Sequence, residues 1–115
     1  MKVSDIIKLI PAKVICGKEH LDKTITGAYV SDLLSDVMGK AKEGNLWITL
    51  QTHQNIVAVA SLKDLAAIIL VKGLLPSPDI VQVSENENIP LLSTDLSCFE
   101  ITGIIYNILK DKKIV

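Results

Sequence analysis

The sequence predicts an α/β fold: a single three-layer domain, with a mostly parallel sheet of about 4–5 strands and helices on both faces. Three observations predict it. Short apolar runs such as LWITL (46–50) and AIILV (67–71) lack polar alternation, as strands covered on both faces do. Segments with helical spacing separate these runs, which is the pattern of βαβ units and a parallel sheet. The 115 residues are 49% hydrophobic, with 41 Ile, Leu and Val against four aromatics, so one aliphatic core fills one domain over 1–115.

The elements follow in order. Within an N-terminal helical segment over 1–12, Ser4 caps a short helix that stops before Pro11. KVIC (13–16) is a strand closed by Gly17, and 18–25 is a charged loop. TGAYV (26–30) is a second strand. Leu33, Leu34, Val37, Met38 and Ala41 then recur at helical spacing, with Ser31 as the N-cap and Gly44 as the stop. LWITL follows as a strand. Two periods compete over 56–63. Val57 and Val59 alternate as in a strand, while Ile56, Val59, Ala60 and Lys63 share a helix face. The alanines, and the βαβ units a helix creates on both sides, decide for helix. AIILV is a buried strand closed by Gly73. Ser77 caps the next helix and Pro78 takes its first position. PLLS (90–93) is the last strand. Ser97 and Glu100 form a capping box, and Ile101, Ile104, Ile105 and Ile108 stripe the helix that follows. Residues 111–115 read as a frayed tail.

Charge and composition exclude several functions. The net charge is −1, and all 12 basic residues are Lys. A nucleic-acid surface wants a basic face and usually Arg, so none is expected. No apolar run is long enough to span a membrane, and Asp5 and Lys8 interrupt the N-terminal apolar stretch, a poor signal peptide. Cys16 and Cys98 are too few for a disulfide framework. They read as small hydrophobes in a reducing cytoplasm, with a redox pair as the alternative. His20 and His53 are isolated and no metal-ligand spacing occurs, so no metal and no other cofactor is expected. Phosphate-loop, dinucleotide and nucleophile-elbow motifs are absent, and the chain is not read as an enzyme.

The stretch DKTITGAYVSDLLSDVMGKAKEGNLWITLQTHQNIVAVAS (22–61) resembles the DRTGG domain. Asp22, Lys23, Thr26, Gly27 and Ala28 stand at the residues of that name, with Lys23 in place of Arg and Ala28 in place of the second Gly. The segments SDLLSDVM, ITLQTHQNIVAVA, AAIILVKGLLP and IPLLSTDLSCFEITG extend the resemblance over roughly 13–110. It implies a fold related to the N-terminal domain of HPr kinase/phosphorylase and to a domain of the muramyl-peptide ligases. Such domains occur attached to phosphotransacetylases and between CBS domains of regulated pyrophosphatases, where they sit at a dimer interface near adenine nucleotides. Stand-alone copies carry no assigned reaction.

Several polar groups are candidates for a site. Asp22, Thr26 and Gly27 form either a ligand loop or a turn feeding a strand. Asp32, Ser35 and Asp36 share a helix surface, as a paired-acid site or as ordinary helix-start acids. Gln51, Thr52, His53 and Asn55 follow a central strand, where ligands of open α/β sheets gather; Thr52 or Asn55 equally fits a helix cap. Parallel strands would bring Ser31, Asp32, Ser93 and Thr94 to the same edge. The expected function is a non-catalytic regulatory or ligand-sensing module. Its ligand is a nucleotide or other small anionic metabolite, and it signals through a dimer or a partner protein. The alternatives are a dimerisation scaffold without a ligand and, behind it, a small transferase or hydrolase. A homodimer is expected because Ile101, Ile104, Ile105, Tyr106, Ile108 and Leu109 cover more than one face of the last helix.

Overall fold

The computed structural model describes residues 1–115 as ten elements. They are α1 (Val3–Ile6), β1 (Ala12–Cys16), β2 (Gly27–Val30), α2 (Leu34–Lys40), β3 (Asn45–Thr49), α3 (Asn55–Leu62), β4 (Ala67–Leu70), α4 (Pro78–Asn86), β5 (Leu91–Thr94) and α5 (Cys98–Asp111). The sheet order is β1-β5-β4-β3-β2. Strands β2 to β5 are parallel, and β1 closes the far edge antiparallel to β5, with Ala12 opposite Thr94.

Every residue of β3, β4 and β5 is buried. Such strands need cover on both faces. Each crossover from β2 to β5 steps the same way across the sheet, so right-handed connections put α2, α3 and α4 on one face. Helices α1 and α5 cover the other. Side chains alternate accordingly. Leu46, Ile48, Ile69 and Leu92 pack with Val3, Ile6, Ile101 and Ile105. Trp47, Ile68, Leu70 and Leu91 pack with Val37, Ile56 and Ile80.

Four sequence expectations are corrected. Helix α1 is a single turn, because Lys2 is its N-cap and donates its N–H to Asp5 Oδ2 (2.9 Å), while the Ser4 N–H goes to the Leu21 carbonyl (2.8 Å). Ser31 does not cap α2; its Oγ accepts from the Leu33 N–H (3.1 Å) and the helix starts at Leu34. That helix ends at Lys40, well short of Gly44. The C-terminal segment is not frayed: α5 runs to Asp111, and Ile114 packs on the core.

Helices α3, α4 and α5 end by one device. Asp64, Asn88 and Lys113 adopt positive φ (52°, 60° and 59°). The N–H groups of Leu65, Ile89 and Ile114 then reach back to the carbonyls of Ala60, Ser84 and Leu109 (2.9, 3.0 and 2.9 Å). The same turn drives these three apolar side chains inward. None of the three positions is Gly, the residue that adopts this conformation at least steric cost. Lys113→Gly is therefore expected to stabilise the protein by about 0.5–1 kcal/mol, and Asn88→Gly by less, since Asn tolerates the left-handed region better. Urea unfolding followed by Trp47 fluorescence measures both.

Candidate functional site

Strands β2 and β3 end at the same edge, and the turns beyond them are tied together. The Ser31 carbonyl accepts from the buried Trp47 Nε1 (2.8 Å). Asp32 Oδ1 accepts from Thr49 Oγ1 (2.8 Å) and from the Leu50 N–H (2.8 Å). Asp32 is thus a clasp between strand ends rather than a helix-start acid. The Thr49 hydroxyl also accepts from the Gln51 N–H (2.9 Å), and Gln51 Oε1 accepts from the His53 N–H (3.0 Å). Gln51 Nε2 lies 3.4 Å from the Asp32 carbonyl.

Neither Thr52 nor Asn55 caps α3: its N-cap is Gln54, which makes no side-chain cap bond, and His53 Nδ1 accepts from the Asn55 N–H (3.1 Å). An accepting Nδ1 places the neutral ring's proton on Nε2. Asp32, Thr52, His53 and Asn55 are exposed and Gln51 is half-buried. Helices α2, α4 and α5 carry Asp36, Asp79 and Glu100 in their first turns, and α3 carries no acid there. Its positive dipole end is therefore not neutralised from within. Four surface cavities exist, and this cluster lines none of them; it is a surface array.

Ser93 and Thr94 do not join it. Strand β4 separates β5 from β3. Both residues are buried, and their hydroxyls donate to the carbonyls of Leu74 (2.8 Å) and Pro11 (2.8 Å). Ser93 thereby anchors the loop before α4, and Thr94 anchors the entry to β1.

The residues Asp22, Lys23, Thr26, Gly27 and Ala28 lie around the start of β2, on the opposite edge. Thr26 Oγ1 donates to the Glu43 carbonyl (2.6 Å) and accepts from Asn45 Nδ2 (3.1 Å). Asn45, buried, accepts from the Lys42 N–H through Oδ1 (2.9 Å). A Cβ on Gly27 would lie 3.2 Å from Asn45 Nδ2, and one on Gly44 only 2.7 Å from Thr26 Cγ2. The loop thus depends on Thr26 and on two glycines for its close approach to the turn before β3. Lys23 Nζ lies 3.4 Å from the Leu65 carbonyl, Ala28 is half-buried against the α1/α5 core, and Asp22 is exposed. A cavity of about 510 Å³ opens beside Lys23, Thr24 and Thr26.

Other groups that the sequence singles out are separated. Tyr29 donates its hydroxyl to Asp36 Oδ2 (2.9 Å), a bond that pushes the phenol above its ordinary 10.0. Nothing in the sequence marks this pairing, which exists because β2 runs beside α2. No three His, Cys, Asp or Glu side chains gather as a metal site. Cys16 belongs to the core under α2–α4, while Cys98 packs against the core under α1 and α5, so the sheet lies between the two free thiols.

The DRTGG domain family matches residues 5–108. No curated protein matches the chain in sequence. Among solved structures it is similar to the CBS and DRTGG domains of the regulatory region of Clostridium perfringens pyrophosphatase, complexed with the activator diadenosine tetraphosphate. The TM-score is 0.68 at 18% identity, over 90% of this chain and 45% of the length of that one. At that identity the likeness is one of fold.

Thr26→Ala is expected to cost about 1–3 kcal/mol, because it strands the buried Asn45 amide, whereas Thr26→Ser should keep most of that stability; chemical denaturation of the pair tests this. Thiol chemistry should separate the cysteines. Burial, ahead of its other neighbours, raises the Cys16 thiol above its usual 9.0. The folded state therefore favours the protonated form. That stability is fully present below pH 9.0 and is lost as pH rises through the raised value. A thiol reagent in mild alkali should label half-buried Cys98 first and Cys16 only on unfolding.

Proposed function

Because this chain belongs to the DRTGG domain family, we propose that it is a non-catalytic regulatory module that senses a small ligand and passes the signal through a second copy of itself or a partner protein, in the cytoplasm. The ligand is a nucleotide or a related anionic metabolite. The site is the array of Ser31, Asp32, Gln51, Thr52, His53 and Asn55.

One observation carries this reading. The α3 N-terminus alone, among the helices that start at the carboxyl edge of the sheet, is free of an acid, and exposed hydrogen-bonding side chains surround it. A phosphate gains there from the helix dipole and from the Gln54 N–H, the N–H groups of His53, Asn55 and Ile56 being taken by Gln51 Oε1, His53 Nδ1 and the His53 carbonyl. Gln51 and Asn55 both donate and accept, and His53 Nε2–H donates, which suits a nucleobase or a ribose without any Arg. Asp32 engages the protein through Oδ1, so its other oxygen is the acceptor for ribose hydroxyls. The pyrophosphatase regulatory region of like fold holds a dinucleotide activator, which supports the ligand class.

Thermal denaturation with ATP, AMP and diadenosine tetraphosphate tests the site. Saturating ligand should stabilise the protein, by about 2.7 kcal/mol at a hundred times Kd. His53→Ala and Gln51→Ala should abolish that gain while lowering the unliganded Tm by no more than about 4 °C. No stabilisation by any nucleotide favours the ligand-free scaffold, and a gain untouched by both variants removes the ligand from this array.

For the second copy, the apolar face of β2 and α5 offers the surface. Strand β2 is an edge. Val30 on it is 43% exposed and Tyr106 on α5 is 55% exposed. Between them runs a groove of about 270 Å³ floored by Ile48, Ile105 and Leu109. Sedimentation equilibrium at micromolar concentration should show a dimer, and Val30→Lys should weaken it at least about tenfold, or ~1.4 kcal/mol. A monomer at that concentration removes the second copy from this reading.

A further inference from the structure

The cavity at the amino edge of the sheet is a separate place in the fold. Three turns far apart in sequence build it: the loop before β2 with Lys23, Thr24 and Thr26, the turn before β3 with Glu43, and the turn before β4 with Asp64. Their backbones are fixed independently of any ligand. The Gly44 N–H donates to the Asp64 carbonyl (3.0 Å), the Thr26 N–H donates to the Gly44 carbonyl (3.0 Å), and the Thr26 hydroxyl donates to the Glu43 carbonyl. Asp64 and Glu43 thus brace the cavity through their main chains, and both residues are exposed. Lys23 places its ammonium by the carbonyl of Leu65 (3.4 Å), the residue next to Asp64, and not on either carboxylate. The lining therefore carries one ammonium and two carboxylates that form no ion pair with it, together with Thr24 and Thr26. Ala66 is the single apolar residue in the lining.

We propose that this cavity binds a zwitterion of amino-acid size, a free α-amino acid or a close analogue with a small or polar side chain. The charge pattern selects it. A plain anion meets two carboxylates for one ammonium. A plain cation meets the Lys23 ammonium at close quarters. A zwitterion sets its carboxylate on Lys23 and its ammonium between Asp64 and Glu43, and like charges stay apart. Ala66 is the one hydrophobic side chain in the lining, too small to select a large apolar group, and a volume of about 510 Å³ accommodates a ligand of this size. The site needs nothing from the nucleotide reading, whose ligand lies at the other edge.

Amide chemical-shift mapping of the full chain with the proteinogenic L-amino acids as probes, each to about 10 mM or its solubility limit, tests the proposal across the range of weak metabolite affinities. At least one amino acid should give saturable shifts centred on Lys23, Thr24, Gly44 and Asp64, and not on Gln51–Asn55. The N-acetyl and methyl-ester derivatives of that amino acid should each lose at least about tenfold in affinity, one opposite-charge contact being removed in each case. Lys23→Met and Asp64→Asn should reproduce those losses. Absence of shifts at these amides with every probe, or shifts that persist undiminished with both blocked derivatives, overturns it. The derivatives act on the unaltered protein, so the outcome does not depend on how the variants fold.

Discussion

The structure hangs on three strands buried on both faces. Strands β3, β4 and β5 are buried along their whole length, and a parallel strand in that position must be covered twice. Because the chain steps from β2 to β5 in one direction, a constant crossover hand puts α2, α3 and α4 on the same face. The opposite face would be left bare without α5 and the one-turn α1. The antiparallel β1, threaded in beside β5, makes β5 an interior strand and is itself the second edge of the sheet.

That same geometry decides where polar chemistry collects. With the interior of the sheet apolar, hydrogen-bonding side chains are confined to the two ends of the strands. All four parallel strands end at one edge, where the connecting helices begin. First-turn acids that complement helix dipoles therefore accumulate there, as Asp36, Asp79 and Glu100 do. The missing acid on α3 is meaningful only against that background. The opposite edge receives the helix C-termini, and with them Lys40 and Lys110 in the last turns of α2 and α5.

Two polar networks fasten those edges. At one, Asp32 joins the end of β2 to Thr49 and Leu50 at the end of β3. At the other, Thr26 joins the start of β2 to Glu43 and Asn45 at the start of β3. Strand β2 has a neighbour on one side only, so these clasps hold an edge strand at both ends. The second clasp gives the Thr and first Gly of the family name a structural reason: the hydroxyl satisfies a buried amide, and the glycine leaves room for it. A ligand that engaged either edge would act on the fastening of β2, and so on the exposed face of β2 and α5.

The order of the ten elements, the two-sided burial of the central strands and the caps at Ser77 and at Ser97 with Glu100 were all legible in the sequence. Each is a short-range property. Hydrophobic periodicity, Pro at a first helical position and a serine three residues before a glutamate operate within a turn or two of chain. The partners of Asp32, Thr26, Ser93 and Thr94 were not legible, nor was the direction of β1. Thr94 finds Pro11 across 83 residues of sequence, and Asp32 meets Thr49 only because β2 and β3 lie in parallel register. Side chains that look alike in sequence, such as the polar turns after β3 and β5, are parted by which strand stands between them. Local composition sets which residues seek partners; the packing of distant segments decides which partner each one reaches.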